Sequence, residues 1–296
     1  MAGIAGIVVL DSHNSNQDLS NQLNSMMEGL SASKEQFSKT FSQGRFHYGV
    51  TLPMNTKPEG RYVSNRELQT DCIVDGYVFV SQQEKDILRQ MYDIRDWSSD
   101  ILLVPYLFDT YRNDIVNRLT GCYNLFLLDH ADHVAYLFND RMGTLPLYYC
   151  NNGGVFVFAS KLESILSCGL MDKIEFDPVS FADHLCFNYT LSDETYIKGV
   201  STLKSASLIK FDNNKFYYSQ FWHIENLFTT SHFNSTESFE CFAESLSQAI
   251  DRIAGQNNET LNLSLTGGWD SRIILAYMLT KYRKRLNLYS FGSENS

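Results

Sequence analysis

Positive charge is scarce in this sequence. Its 296 residues carry 24 Lys and Arg against 34 Asp and Glu, which gives a formal net charge of −10. A protein that binds nucleic acid or an anionic membrane over a broad surface presents a basic face, so this balance predicts neither partner. A local phosphate site is still allowed, because backbone N–H groups bind phosphate without any net charge.

Long apolar runs and paired cysteines are also missing. No stretch approaches the roughly 20 apolar residues that span a bilayer. The apolar start MAGIAGIVVL lacks the basic segment of a signal peptide, so we expect a buried strand there. The six cysteines form no CxxC pair and no Cys/His zinc spacing. We therefore expect reduced thiols and a cytoplasmic protein.

Two domains are expected from the length of the chain. Residues 1–223 are rich in strands placed between helices, which predicts an α+β domain of two sheets covered by helices. The polar stretch 229–238 is typical of a linker, and residues 236–296 then indicate helix, strand, glycine turn, helix and strand. One such β–α–β unit cannot bury both faces of a parallel sheet, so we expect the second domain to be the truncated beginning of a larger α/β domain.

Hydrophobic periodicity predicts the individual elements. Strands are predicted at 3–10, 72–80, 122–128, 133–138, 146–159, 206–211, 215–222, 261–265 and 286–291. Helices are predicted at 17–30, 84–94, 99–117, 160–167, 178–187, 238–254 and 269–282. The strand segment 146–159 is expected to fold back on itself at its Asn-Asn-Gly-Gly sequence, and Asp177 is expected to cap the helix that begins at Pro178.

The sharpest local pattern is LTGGWDS, which joins a predicted strand to a predicted helix. Gly267 and Gly268 permit a close backbone approach that a Cβ would block, and the helix N-terminus directs N–H groups toward the turn. The hydroxyls of Thr266 and Ser271 can donate to phosphate oxygens, and Asp270 can hold a magnesium ion or cap the helix. The alternative is a plain glycine turn with a helix cap, and the flanking strand and helix favour a phosphate loop.

This segment resembles the SGGxDS pyrophosphate loop of the ATP-pyrophosphatase superfamily, with Thr in place of the first Ser. The resemblance implies that ATP is cleaved to AMP and pyrophosphate while a carboxylate is adenylated, and that an amine then displaces AMP. It implies ATP and Mg²⁺ as cofactors, with Asp270 as the candidate magnesium ligand and Phe291 beside the adenine. Trp269 either touches the substrate or packs into the domain, and packing is favoured. The residues assigned to ATP and pyrophosphate are Leu265, Thr266, Gly267, Gly268, Asp270, Ser271 and Phe291.

Four segments of the N-terminal domain resemble asparagine synthetase. MAGIAGI resembles its MCGIAGI start, LTGCYNL its LxGxFAF, NDRMGTLPLYY its ARDRxGxKPLYY, and FASKLESIL its FASELKALL. The resemblance implies an N-terminal-nucleophile (Ntn) glutamine amidotransferase domain with four αββα layers at 1–223. It also implies the start of an asparagine-synthase-type ATP-pyrophosphatase domain, adenine-nucleotide α-hydrolase-like, at 236–296. Members of the family are often dimers, so a homodimer is expected.

Three departures from the family pattern remove the glutaminase machinery. The family's nucleophilic Cys follows the initiator Met, and here that position is Ala2, whose methyl group cannot attack a carbonyl. The Asn-Gly oxyanion segment is replaced by Asp75-Gly76, and a carboxylate repels a developing oxyanion. No segment near Arg45 resembles the HRGPD that supplies the family's glutamine-binding Arg. We therefore expect no catalytic residue in the N-terminal domain, and a structural role for the retained Asp140.

The favoured function is an ATP-dependent amide ligase that joins a small-molecule or peptide carboxylate to ammonia or an amine. β-Lactam synthetases and lasso-peptide cyclases resemble this layout, which leaves a cyclising or peptide-modifying role open. One alternative is a non-catalytic scaffold, or a truncated remnant of such a ligase. Another is a different adenylating enzyme, such as a thiolase of tRNA, which the acidic charge disfavours.

Overall fold

The chain divides into two compact units, Met1–Asn226 and Leu227–Ser296. Their boundary lies just before the polar stretch that predicts a linker. The computed structural model describes residues 3–11, 19–31, 36–53, 60–171, 173–228, 235–255 and 260–292.

The first unit alternates strands with short helices. Its described strands are β1 (Gly3–Val9), β2 (Gln36–Gln43), β3 (Phe46–Pro53), β4 (Tyr62–Asn65), β5 (Thr70–Val80), β6 (Leu119–Asp129), β7 (Val134–Asn139), β8 (Tyr148–Asn152), β9 (Val155–Ala159), β10 (Ser201–Thr202), β11 (Ser207–Asp212) and β12 (Lys215–Gln220). Its described α-helices are α1 (Ser20–Leu30), α2 (Gln82–Met91), α3 (Val104–Tyr111), α4 (Leu162–Ser167) and α5 (Pro178–Phe187).

These strands form two six-stranded sheets in which every described pairing is antiparallel. The first sheet has the order β10-β8-β9-β1-β3-β2, and the second has the order β12-β11-β7-β6-β5-β4. The N-terminal strand β1 lies inside the first sheet, where Ala5 opposes Gly49 on one side and Ala159 on the other. The expected buried strand at the start of the chain is therefore confirmed.

The two sheets pack face to face, with helices on both outer faces. One core cluster joins Ile4 of the first sheet to Ile73 and Phe126 of the second. A second cluster packs α2 and α3 on the outer face of the second sheet, and a third packs α1 and α4 on the outer face of the first. The layers are therefore helix, sheet, sheet and helix, which confirms the predicted four-layer αββα fold.

The side-chain alternation of β1 explains why its sequence is apolar throughout. Ile4 and Val8 point into the space between the sheets, whereas Ala5, Ile7 and Val9 face the α1 and α4 layer. Successive side chains of a strand point to opposite faces, so a strand covered on both sides needs apolar residues at every position. The same division in β5 puts Ile73 between the sheets and Val74 under the helices.

Two parts of the first unit differ from the sequence-based prediction. Strands β2, β3 and β4 are not predicted by the sequence pattern. For β2 the reason is that it is an edge strand of largely exposed, polar composition. The helix predicted at 99–117 is broken into a 3-10 turn, the helix α3 and a second 3-10 turn. The break after α3 falls at Arg112, whose φ of 49° leaves the helical region.

The second unit contains one parallel crossover. Its described elements are α6 (Ser235–Ala254), β13 (Leu261–Ser264), α7 (Trp269–Lys281) and β14 (Leu286–Tyr289), and β13 pairs with β14 in parallel. The predicted β–α–β unit is confirmed. Of the residues described here, only Ala254 and Met278 are buried, and Phe239 and Phe242 of α6 are 70% and 60% exposed.

Within the described ranges, no helix combines the length and the apolar character that crossing a bilayer requires.

Candidate functional site

The start of β1 is the point where the family resemblance places the nucleophile. Ala2 itself lies outside the described residues. The next residues are fixed by β9 and the turn after it: the N–H of Ile4 donates to Ser160 Oγ at 3.0 Å, and the N–H of Ser160 donates to the carbonyl of Ile4 at 2.9 Å. The start of β1 is therefore held beside Ser160.

Asp75 lies in the same place, opposite this end of β1. Its carboxylate accepts a hydrogen bond from Ser160 Oγ at 2.7 Å and is buried, at 9% exposure. Burial raises the pKa of Asp75, while the Ser160 hydrogen bond and the charge of Arg61 oppose the rise. Ser160 therefore links the carboxylate at the predicted oxyanion position to the backbone of β1.

Gly76 occupies a position that only glycine fits. Its φ is +97°, and a Cβ there would lie 2.0 Å from the carbonyl oxygen of Cys122 on the neighbouring strand. Gly121, across the same pair of strands, has a φ of +129° and a similar 2.0 Å approach to the carbonyl oxygen of Tyr77. The glycine of the Asp75-Gly76 pair is thus required by the close approach of β5 and β6.

Two further polar side chains converge on Asp75. Asn124 opposes Asp75 in the β5–β6 register and is fully buried. Arg61 is also buried, its guanidinium lies 4.5 Å from the ring centre of Tyr77, and its charge acts on Asp75. Neither residue is among the site residues predicted from the sequence. Asn124 does carry a signal, since it is polar within the otherwise apolar strand sequence YNLFLL.

Asp140 has the structural role that the sequence predicts for it. Its carboxylate accepts hydrogen bonds from the N–H groups of Tyr123, Met142 and Thr144 at 3.1, 2.9 and 3.1 Å, and from the Thr144 hydroxyl at 3.0 Å. These hydrogen bonds fix the carboxylate in the turn that follows β7. We therefore assign Asp140 a structural role and no catalytic role.

In the second unit, the LTGGWDS segment runs from β13 into the N-terminus of α7. Ser271 Oγ lies 3.1 Å from both the N–H and the hydroxyl of Thr266, and the N–H of Gly268 donates to Thr266 Oγ1 at 3.3 Å. Leu265 is fixed to β14, because its N–H donates to the carbonyl of Tyr289 at 2.8 Å. The hydroxyls of Thr266 and Ser271, which are predicted to bind phosphate, therefore also make hydrogen bonds within the turn.

One side of this loop is open at Gly267. Nothing lies within 4 Å of the place where a Cβ of Gly267 would be, so the backbone there can be approached closely. Asp270 is in the first turn of α7, and the N-cap residue is Gly268, which makes no side-chain cap. The suggestion that Asp270 caps the helix is therefore wrong, because it is already inside the first turn. As a magnesium ligand it stays a prediction.

Two aromatic residues of this unit are strongly exposed. Phe291, assigned to adenine, follows β14 and is 82% exposed. Trp269 is 74% exposed, so the expectation that it packs into the domain is wrong. The guanidinium of Arg272 lies 4.6 Å from the ring centre of Trp269 and donates to the carbonyls of Gly267 and Gly268 at 2.8 and 3.1 Å.

Other surface features of the first unit lie away from Asp75. A cavity of about 350 Å³ is lined by Arg45, Phe46, His130 and His133, among other residues. These residues belong to the turns after β2 and β6, at the end of the sandwich where β1 finishes. Among the described residues, no group of three or more His, Cys, Asp or Glu side chains is placed to hold a metal ion.

Comparison with known proteins gives a consistent result for the first unit. The model of the family described as glutamine amidotransferase domain matches residues 1–222. Asparagine synthetase (glutamine-hydrolysing) 3 of Bacillus subtilis (strain 168) is 22% identical over 231 residues, which are 76% of this chain and 37% of the relative. Asparagine synthetase (glutamine-hydrolysing) 1 of the same organism is 25% identical over 112 residues, 38% of this chain and 17% of the relative.

Among solved structures, the glutamine phosphoribosylpyrophosphate amidotransferase from B. subtilis, complexed with ADP and GMP, has a TM-score of 0.49 at 11% identity. That alignment covers 97% of this chain and 65% of the other. The aligned part of the chain covers 37% and 17% of the two B. subtilis asparagine synthetases, so the chain spans less than half of their length.

Proposed function

Because the chain belongs to the glutamine amidotransferase domain family, we propose that it is part of an asparagine-synthetase-like ATP-dependent amide ligase that lacks glutaminase activity. The observation that carries the proposal is the TGGWDS loop at the N-terminus of α7, between the two parallel strands β13 and β14. The loop thus joins a strand of a parallel pair to the N-terminus of a helix, which is a typical arrangement for binding phosphate.

The proposed reaction has two steps. A carboxylate oxygen of the substrate attacks the α-phosphorus of ATP, which forms an acyl-adenylate and releases pyrophosphate. The nitrogen of ammonia or of an amine then attacks the acyl carbon, AMP leaves with the bonding electrons, and the nitrogen loses a proton. The substrate is a small-molecule or peptide carboxylate.

Residues of the loop would serve the first step. The hydroxyls of Thr266 and Ser271 and the N–H groups around Gly267 would hold the phosphates, with Phe291 beside the adenine. Asp270 is exposed in the first turn of α7 and would hold Mg²⁺, which neutralises charge on phosphates when it is bound.

The proposed loss of glutaminase activity is supported by Ala2 and Asp75. Ala2 has no group that can form an acyl-enzyme. Asp75 contributes a buried carboxylate, hydrogen-bonded to Ser160, where the family resemblance places a neutral amide. Preorganised donors stabilise an oxyanion, whereas an acceptor or a negative charge at the same place opposes it. The nitrogen would therefore come from free ammonia or an amine.

The test is magnesium-dependent release of pyrophosphate from ATP by the longest polypeptide that the gene encodes. Aspartate is the carboxylate, and ammonium or glutamine is the nitrogen source. Release with ammonium but not with glutamine is the expected result, and release with glutamine would contradict the proposed loss of glutaminase activity. Absence of both release and MgATP binding would overturn the ligase and leave the non-catalytic scaffold.

A matched pair of variants ties that activity to the loop. Thr266→Val removes a hydroxyl that lies 3.1 Å from Ser271 Oγ, and we expect it to lower pyrophosphate release at least tenfold. Thr280→Val makes the same change at an exposed position near the other end of α7. It should leave the rate of pyrophosphate release within a factor of two. Equal losses in both variants would contradict a specific role of the loop in pyrophosphate release.

The scaffold has one specific observation in its favour. Helix α5 has an apolar sequence, yet only Ser180 is buried, while Val179 and Leu185 are both 70% exposed. Exposed apolar surface of this kind is typical of a protein contact. The measurement of pyrophosphate release decides between the two functions.

A further inference from the structure

Arg272 follows the TGGWDS loop directly and reaches back to it. It is the fourth residue of α7 (Trp269–Lys281). Side chains of a helix point toward its N-terminus, so a long side chain at this position lies over the residues that precede the helix. The Arg272 guanidinium accordingly donates from Nη2 to the carbonyl of Gly267 at 2.8 Å and from Nε to the carbonyl of Gly268 at 3.1 Å.

These two hydrogen bonds fix the orientation of two successive peptide groups. A trans peptide group is planar, so its C=O and the N–H of the next residue point in opposite directions. Both carbonyls are turned toward Arg272, and the N–H groups that follow them, those of Gly268 and Trp269, therefore face away from the guanidinium. The N–H of Gly268 donates there to Thr266 Oγ1 at 3.3 Å. The N–H of Trp269 is at the start of α7, where N–H groups have no partner within the helix.

The guanidinium is itself held by Trp269. Its central carbon, Cζ, lies 4.6 Å from the centre of the indole ring. A guanidinium is attracted to the face of an aromatic ring and can stack on it. The Trp269 side chain is 74% exposed, so burial in a core does not account for its position. The ring instead limits where the guanidinium can lie while its N–H groups bind the two carbonyls.

The charge of Arg272 suggests a second role, a direct ion pair with phosphate. Arg272 is the only Lys or Arg within residues 261–280, so no other cation of the β13–α7 segment can supply such a pair. However, its Nε and Nη2 already donate to the loop. Hydrogen bonds from a charged donor are stronger than neutral ones, so breaking both to reach a phosphate is unfavourable. The geometry therefore favours an action through the backbone.

We propose that Arg272 is a positioning residue of the TGGWDS loop. By binding the carbonyls of Gly267 and Gly268, it holds the N–H of Trp269 in the direction from which phosphates are bound. Donors that are already in place bind an anion more tightly, because no ordering is needed on binding. The inference rests on the proposed function for the identity of the ligand, whereas the order of the loop can be measured without any ligand.

The first test measures the order of the loop in the full chain without ligand, by NMR relaxation of the backbone amides. Rigid backbone has an order parameter of about 0.85 and flexible backbone one below about 0.6. The amides of Gly268 and Trp269 are expected to change from rigid to flexible in both Arg272→Lys and Arg272→Met. The amide of Tyr282, which donates to the carbonyl of Met278 at the other end of α7, is the internal control and should not change. Unchanged order at Gly268 and Trp269 would overturn the positioning role.

The second test measures the affinity of the same proteins for inorganic pyrophosphate in the presence of Mg²⁺, by calorimetry. Lys keeps the charge of Arg but lacks its planar fork of N–H groups. We therefore expect Arg272→Lys and Arg272→Met both to lose at least tenfold in affinity. Binding by Arg272→Lys within twofold of the unmodified protein would show that the charge alone is needed, which would refute the action through the carbonyls.

A matched control separates this effect from a general loss of positive charge. Arg283→Met removes one charge from the exposed turn after α7 and should leave pyrophosphate affinity within twofold. A tenfold loss in this variant as well would contradict a specific role of Arg272. Absence of pyrophosphate binding by the unmodified protein would instead contradict the proposed function, and the order parameters would then decide the positioning role by themselves. Arg272 is exposed, so its replacement empties no core.

Discussion

At the scale of single residues, Asp75 shows how a buried acid changes the stability of this fold. Burial raises its pKa above the ordinary 3.8, and the Ser160 hydrogen bond and the charge of Arg61 only partly oppose this. The folded state therefore binds a proton more tightly than the unfolded state does. Because the unfolded state binds fewer protons between the two pKa values, the free energy of unfolding falls as pH rises through that window.

Asp75→Asn is expected to remove this dependence. The amide oxygen still accepts from Ser160, and no charge has to be buried. The stability of the variant relative to the unmodified protein should therefore increase with pH, starting near pH 3.8 and levelling off above the folded pKa. Urea denaturation of both proteins between pH 4 and 8 measures this difference in the free energy of unfolding.

The same substitution at Asp132, an exposed residue in the turn after β6, supplies the baseline. A relative stability of Asp75→Asn that is constant, or that falls as pH rises, would show that burial of the charge at Asp75 is not the dominant effect.

At the scale of elements, the helices of the first unit differ in whether a side chain at the N-cap accepts a hydrogen bond from the first turn. The side chain of Ser81 caps α2 by accepting from the N–H of Glu84 at 3.2 Å, and Asp177 caps α5 by accepting from the N–H of Ser180 at 3.0 Å, as the sequence predicts. Side-chain caps satisfy N–H groups that the helix itself leaves unpaired. Helix α1 has no such side-chain bond at its N-cap, Leu19.

Ser81→Ala should therefore destabilise the first unit by about 1 kcal/mol, the typical value for loss of a helix cap. Ser99→Ala is the matched control, because Ser99 begins the 3-10 turn Asp100–Leu103 without a side-chain cap. Urea denaturation followed by far-ultraviolet circular dichroism measures both. Equal losses for the two variants would mean that the cap at Ser81 contributes nothing of its own.

At the scale of the whole molecule, the contact between the two sheets holds the first unit together. Phe158 of the first sheet stacks on Phe126 of the second, with ring centres 5.3 Å apart, and both are fully or almost fully buried. A Cβ on Gly6 would lie within 2.5 Å of the Phe158 ring, so the glycine of β1 gives this ring its space. Such a contact stabilises through the apolar area that it removes from water.

Phe158→Ala is expected to cost about 3–5 kcal/mol of unfolding free energy, the usual range for a large buried aromatic residue. Phe37→Ala in the edge strand β2 is the control, since that ring is 51% exposed and should cost far less. Denaturant titration of the full chain compares them. A small loss at Phe158 would indicate that the sheets are held together mainly by other contacts.

Much of this architecture could be predicted from the sequence because it depends on local patterns. The apolar run of β1 predicts a strand covered on both faces, and the strand–glycine–helix pattern predicts the crossover of the second unit. The segment from β8 to β9 is confirmed as a hairpin, because Gly153 and Gly154 both have positive φ values that the turn requires. Each of these features is decided by residues that are close together in the chain.

Other features were decided only by the tertiary structure. The polar sequence of β2 becomes a strand because β3 pairs along its whole length and the other edge is left to water. The cluster near the start of β1 collects Arg61, Asp75, Asn124 and Ser160 from four separate segments, and no spacing in the sequence relates them. Hydrophobic periodicity fixes which face of a strand is buried, whereas the pairing of distant strands fixes which polar side chains meet there.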